Sequence, residues 1–241
     1  MVAKNQIKLI KSLHQKKYRN LHGLFLVEGI KTVNELLNAG LEPFGLFTTE
    51  RSLPDRGKYR WVLVSERELG QMSALKHPNN VLAVFHKPAA RAVDFSDWVL
   101  ALDTVSDPGN LGTIIRLCDW FSIRHLLCSR ETVDCFGPKV LQATMGSIAR
   151  VNVVYTDLPE FLGTSEQPIL GTFMDGQSVY DAQLPDSGIL VMGNEAHGIS
   201  AEIGALCEKS IGIPQFGQPT TESLNVATAT AILLNELRRK R

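Results

Sequence analysis

An α/β protein in two parts, the second built on a parallel sheet, is the fold class this sequence predicts. In the second part, the apolar runs Trp98–Leu102 and Gly188–Met192 show no polar alternation, the mark of strands buried on both faces. Each gives way to a glycine-bearing turn and then to a helix-like pattern, the order that a parallel sheet requires. In the first ninety or so residues, short apolar runs alternate with amphipathic segments on a smaller scale. The composition, 44% hydrophobic and 21% charged over 241 residues, suits two modest globular domains.

The chain opens on a basic stretch. Between Met1 and Lys31 there are seven cations (Lys4, Lys8, Lys11, Lys16, Lys17, Arg19 and Lys31) against one acid, Glu28, although the whole chain balances 25 basic against 25 acidic side chains. Such a local excess predicts affinity for a polyanion through phosphate neutralisation, with a solvated helix face as the plain alternative. Ile7, Leu9, Ile10, Leu13 and Tyr18 give the helix a face to bury. Leu24–Val27 then reads as a strand, Glu28-Gly29 as a turn, and Ile30–Ala39 as an amphipathic helix stopped by Gly40. Trp61–Val64 and Val81–Phe85 read as further strands with a short helix, Glu66–Leu75, between them. Lys87–Ala92 has the composition of a linker.

Three blocks in the second part carry the chemistry. After Trp98–Leu102 the turn cluster Asp107-Pro108-Gly109-Asn110 leads into a helix from Gly112 to Phe121, on which Arg116 is the one cation among Ile114, Ile115, Leu117, Cys118, Trp120 and Phe121. Alone, Arg116 reads as a solvated arginine or a partner of Asp119. After Gly188–Met192 comes Gly193-Asn194-Glu195, released by Gly198 into a helix that Ser200 can cap; Glu195 is either an active carboxylate or an acid favoured by that helix N-terminus. The third block runs from Ser210–Ile213 through Pro214 to Ser223-Leu224-Asn225 and the small-residue helix from Val226, for which Thr221 or Ser223 could serve as cap. A dinucleotide-binding turn is the competing reading of the first block, with Glu131 as its ribose ligand, but the glycine spacing fails and there is no P-loop lysine.

In order and spacing, Asn110, Gly112 and Arg116, then Gly193, Asn194, Glu195 and Gly198, then Ser223-Leu224-Asn225-Val226 resemble the SpoU/TrmH family of RNA ribose 2′-O-methyltransferases in the SPOUT superfamily. The resemblance divides the chain into residues 1–90 and 97–241 and implies a C-terminal trefoil knot in the parallel-sheet domain, where topology rules alone would draw an ordinary doubly wound sheet. It implies S-adenosylmethionine as cofactor, touched by Gly193, Ile213 and Leu224 largely through main-chain groups, with Thr172 on the same pocket. It implies Arg116 as the catalytic residue, contributed with Asn110, and Ser223, Asn225 and Glu195 in support, Glu195 being the alternative proton acceptor. A guanidinium is a poor base, so phosphate binding and alignment of the 2′-hydroxyl are the roles expected of Arg116. The implied reaction is methyl transfer to a ribose of ribosomal or transfer RNA in a homodimer. A base-directed RNA methyltransferase and a non-catalytic RNA-binding protein are the rivals. Phe25–Gly29 and His77–Asn80 are similar to the substrate-binding domain found N-terminally in many family members, itself similar to small ribosomal RNA-binding proteins. Met145 departs from the small residues common there and adds bulk on the substrate side.

No leader is read at Met1 and no apolar run approaches the ~20 residues of a membrane span. Cys118, Cys128, Cys135 and Cys207 lack paired spacing, which suits reduced thiols and a cytoplasmic protein. His197 reads as a loop residue without metal partners, and no metal is expected. The basic tail from Arg238 to Arg241 complements a helix C-terminus or offers a further RNA contact.

Overall fold

The computed structural model describes residues 2–53, 58–217 and 222–239. It falls into two compact units, residues 1–89 with 134–149, and residues 90–133 with 150–241.

In the first unit the basic stretch forms two helices instead of one, α1 (Lys4–Ser12) and α2 (Lys16–His22). The break is made by Gln15 in extended backbone, and α2 ends at Gly23 in the left-handed region, φ 61°. Arg19, which the charge count places among the phosphate-facing cations, is only 4% exposed. Its guanidinium donates to the carbonyls of Leu13 and His14, closing the break between the helices, and forms a 2.6 Å ion pair with Asp134. That corrects the count. β1 (Leu24–Glu28), α3 (Ile30–Asn38), β2 (Pro43–Thr48), β3 (Val62–Leu63), α4 (Glu66–Met72) and β4 (Val81–His86) follow. The sheet order is β1-β4-β2-β3, with β4 antiparallel to both neighbours and β3 parallel to β2. α4 starts at a capping box in which Ser65 and Glu68 satisfy each other's main-chain N–H. Ile10 and Leu13 of the helical pair pack on Leu24, Leu26, Phe47, Leu82 and Val84 of the sheet, with Leu69 and Met72 of α4 in the same core.

The second unit holds β5 (Val99–Leu102), α5 (Pro108–Trp120) and β6 (His125–Ser129). Next along the chain is α6 (Pro138–Thr144), which lies in the 134–149 segment and groups with the first unit. There Phe136 packs its ring 4.8 Å from that of Phe25. Met145 leaves α6 in the left-handed region, φ 52°, exposed, and a Cβ on Gly146 would meet the Glu35 side chain at 2.6 Å. The chain then returns as β7 (Asn152–Thr156), α7 (Leu158–Gly163), β8 (Ile169–Ser178), β9 (Ile189–Met192), α8 (Ala201–Gly204), β10 (Lys209–Gly212) and α9 (Val226–Arg239).

The sheet of the second unit runs β10-β8-β9-β5-β6-β7, and every pairing is parallel. β5 and β9 are neighbours, yet the chain leaves β5 toward β6 and β7 on one side, while β8 and β10 lie on the other. This is a topological switch point, where the loops after adjacent strands diverge and leave a crevice. α5 begins one turn earlier than the glycine pattern suggests, because the Asp107 side chain accepts from the Asn110 N–H at 2.8 Å and Pro108 needs no donor partner. α9 packs on α5. Arg238 donates to the carbonyls of Phe121 and Ser122 and to Asp97, so this part of the basic tail seals the end of α5. Lys240 and Arg241 lie outside the described residues. None of the four cysteines is in a disulfide; burial pushes the Cys118 thiol far up and that of Cys207 up to about 11.

Candidate active site

Because all strands of the second sheet are parallel, the loops after β5, β9 and β10 leave the same edge. After β5 the chain passes through Thr104 at φ 57°, an unusual conformation for a β-branched residue, costing on the order of 1–3 kcal/mol. Hydrogen bonds hold it there: its N–H donates to Ser129 Oγ at 3.0 Å and its carbonyl accepts from Asn194 Nδ2 at 2.7 Å. After β9 the chain makes a tight reversal in which the Asn194 and Gly198 main chains bond each other at 2.8 and 2.9 Å, with Gly198 at φ 67°. Gly193 is required for a different reason. A Cβ there would lie 2.1 Å from the Gly198 carbonyl carbon and 2.2 Å from the Ile199 nitrogen, so only a bare Cα lets the returning strand cross.

A chain of three side chains ties the loops together. Glu195 Oε1 accepts from Asp107 N–H at 3.1 Å and from Asn110 Nδ2 at 2.9 Å, while Oε2 accepts from the N–H and hydroxyl of Ser106. Asn110 Oδ1 in turn accepts from Asn225 Nδ2 at 2.9 Å. Asn225 Oδ1 accepts from the N–H groups of Ala227 and Thr228, so Asn225 is the cap of α9. By sequence Thr221 or Ser223 is the expected cap; Ser223 does not fill that role, and Thr221 lies outside the described residues. Partial burial pushes the Glu195 carboxyl up, but the bonds from Asn110, Ser106 and Asp107 outweigh it and hold the group below the usual carboxylate range. The anion is thereby fixed in place with both oxygens engaged.

Asn110, Glu195 and Asn225 are thus brought together, and Gly193 lies beside Asn194 and Glu195 at the root of the second loop. Ser223 and Leu224 precede Asn225 and are exposed, Leu224 by 50%. Ile213 is half-buried directly after β10. Thr172 is half-buried where β8 leaves its partner: Ser210 pairs with Gly171 and Ile211 with Gln177, so residues 172–176 bulge from the ladder at the same edge. Arg116 is not in the cluster. It is exposed, and Asp119, the partner that helical spacing offers it, is held bidentately by Arg150. Six residues beyond Asn110, it leaves α5 roughly 120° around the axis from that side chain. Ser106, Thr104 and Asp107 are the contributors that sequence reasoning misses. Only Asp107, preceding Pro-Gly at the end of a strand, carries a readable capping signal.

Two family models match the chain: the SpoU rRNA Methylase family over residues 97–235 and the MRM3-like substrate binding domain over residues 4–83. A Bacillus subtilis protein, 23S rRNA (guanosine(2553)-2′-O)-methyltransferase RlmP, is 33% identical over 98% of this chain and 97% of its own length. A TrmH-family structure from Porphyromonas gingivalis, 39% identical, superposes with a TM-score of 0.89 over the whole of both chains. An rRNA methyltransferase from Sinorhizobium meliloti with bound AdoMet, 27% identical, gives 0.85 over 100% of this chain and 96% of that one. The parallel-sheet unit has the fold of the knotted SPOUT domains, in place of an ordinary doubly wound sheet. With a family model covering more than half its length and the motif side chains joined at one sheet edge, the chain belongs to the SpoU rRNA methylase family.

Proposed function

We propose that this protein transfers a methyl group from S-adenosylmethionine to a ribose 2′-hydroxyl of ribosomal or transfer RNA. The observation that carries the reading is the Glu195–Asn110–Asn225 chain, which joins all three family motifs across the switch point. The loops fit the cofactor: Gly193 lets the turn after β9 close on itself, Ile213 and Leu224 offer apolar surface, and Thr172 stands where β8 leaves the ladder. When bound, the cofactor supplies an electrophilic methyl on a sulfonium.

The chain's own residues supply position. Glu195 is a clamp here, not a base, because its oxygens already accept four hydrogen bonds and its acidity is raised. It fixes Asn110, and Asn110 fixes Asn225 and with it the start of α9. Arg116 grips the phosphate next to the target and aligns the 2′-hydroxyl. Ser223, exposed ahead of Asn225, is free to meet the same nucleotide.

The outward placement of Arg116 supports action in a homodimer, with the arginine of one copy serving the pocket of the other. Trp120, one turn further along α5, is 81% exposed, a large aromatic of the kind enriched in interfaces. Light scattering at micromolar concentration is expected to give twice the chain mass, and a monomer counts against this arrangement. None of the helices among the described residues is long and apolar enough to cross a membrane, and no metal-binding group occurs among them; a cytoplasmic location is part of the same reading.

The direct test is to methylate ribosomal RNA with labelled cofactor and digest it to nucleosides. A 2′-O-methyl nucleoside is expected. A base-methylated nucleoside supports the base-directed rival, and no label at all supports the non-catalytic one.

A further inference from the structure

α1 and α2 enclose a groove of about 610 Å³ whose lining includes Lys8, Lys11, His14, Tyr18 and His22 and, among the described residues, no acid. Three features make it more than a solvated basic face. Tyr18 and His22, one turn apart on α2, hold their rings at 6.4 Å and 13° from parallel, a ready-made ledge of π surface. The Lys17 ammonium lies 5.9 Å from the Tyr18 centroid. The ledge is also braced from below, by Arg19 tying α2 to the end of α1 and by the His14 ring bonded to the Met72 carbonyl at 2.9 Å. Exposed lysines at positions 4, 8 and 11 follow α1, with Lys16 and Lys17 opening α2.

We propose that this face of the first unit is a platform for single-stranded RNA, one base stacking on the Tyr18–His22 ledge while Lys8 and Lys11 track the flanking phosphates. The proposal rests on the reading of the protein as an RNA methyltransferase and adds the surface by which a substrate strand is held. Cations alone would accept any polyanion. A ring ledge beside them selects polyanions that carry flat bases, whatever their sequence.

The test uses the full chain and a fluorescein-labelled oligouridylate of about ten nucleotides, within the site sizes usual for single-strand binders. Tyr18→Ala is expected to weaken binding about tenfold with little change in salt dependence, and Tyr18→Phe to restore it. The pair Lys8→Gln and Lys11→Gln, on exposed positions that leave the melting temperature unchanged, is expected to flatten the slope of log affinity against log salt by about 0.7 for each phosphate no longer neutralised. Polyglutamate of equal charge is expected to displace the RNA poorly. Unchanged affinity in Tyr18→Ala, an unchanged slope in the lysine pair, or equal displacement by polyglutamate overturns the platform. Methylation of ribosomal RNA by the wild-type chain, measured in parallel, separates the two claims. If it proceeds while these variants bind normally, only the platform falls; if it is absent, the reading beneath the platform falls as well.

Discussion

Arg116→Lys is expected to lose about a hundredfold or more in turnover while S-adenosylmethionine binds as before. The substitution keeps the positive charge, so a role as a generic cation predicts little change. It removes the planar fork, which is what bidentate grip on a phosphate requires. The position makes the comparison clean: Arg116 is exposed and makes no ion pair or hydrogen bond with another described residue, so the change disturbs no packing. Turnover at saturating cofactor, with cofactor affinity measured separately, distinguishes lost alignment from lost binding. Turnover near that of the wild type would mean that the guanidinium does not align the ribose.

Asp134→Ala is expected to be the most damaging single change to the first unit. Arg19 is 4% exposed and Asp134 9%, and two guanidinium nitrogens reach Oδ2 of Asp134 at 3.0 and 2.6 Å. Removing the carboxylate leaves a buried cation with only the Leu13 and His14 carbonyls to face, a loss of about 3 kcal/mol or more. In a chain of this length unfolding in one transition, that corresponds to a fall of roughly 6–12 °C in the melting temperature. Arg130→Ala supplies the contrast. Arg130 pairs with Asp157 at 3.7 Å with side chains 69% and 42% exposed, and water and salt screen such a pair to within ~1 kcal/mol of nothing. A calorimetric scan in which the two variants melt alike would refute the assignment of the 134–149 segment to the core of the first unit.

The catalytic blocks are legible in the sequence because each is a contiguous run in which a strand, a loop and a helix start follow one another directly. Loops after parallel strands must then share an edge. Their residue-level partnerships are less legible. Ser223, Thr221 and Asn225 are all good caps by chemistry, and the choice of Asn225 follows from Asn110, 115 positions earlier, to which its Nδ2 donates. Arg19 reads as one more surface cation because its partner Asp134 is likewise 115 positions away. β2 escapes notice because Pro43 and Gly45 interrupt its apolar run, and the register is irregular at that point. The single basic helix becomes two because an extended Gln15 costs little where a buried guanidinium can collect the freed carbonyls of Leu13 and His14.

Titration of S-adenosylmethionine into the wild-type chain and into Gly193→Ala by calorimetry tests the central claim most directly, that the loops closed by the Glu195–Asn110–Asn225 chain form the donor pocket. A Cβ at Gly193 must displace the Gly198–Ile199 backbone and with it the Asn194–Glu195 turn. The expected result is one cofactor per wild-type chain and at least about a tenfold loss of affinity in the variant. Failure of the wild-type chain to bind the cofactor, or equal affinity in the two, would contradict the account.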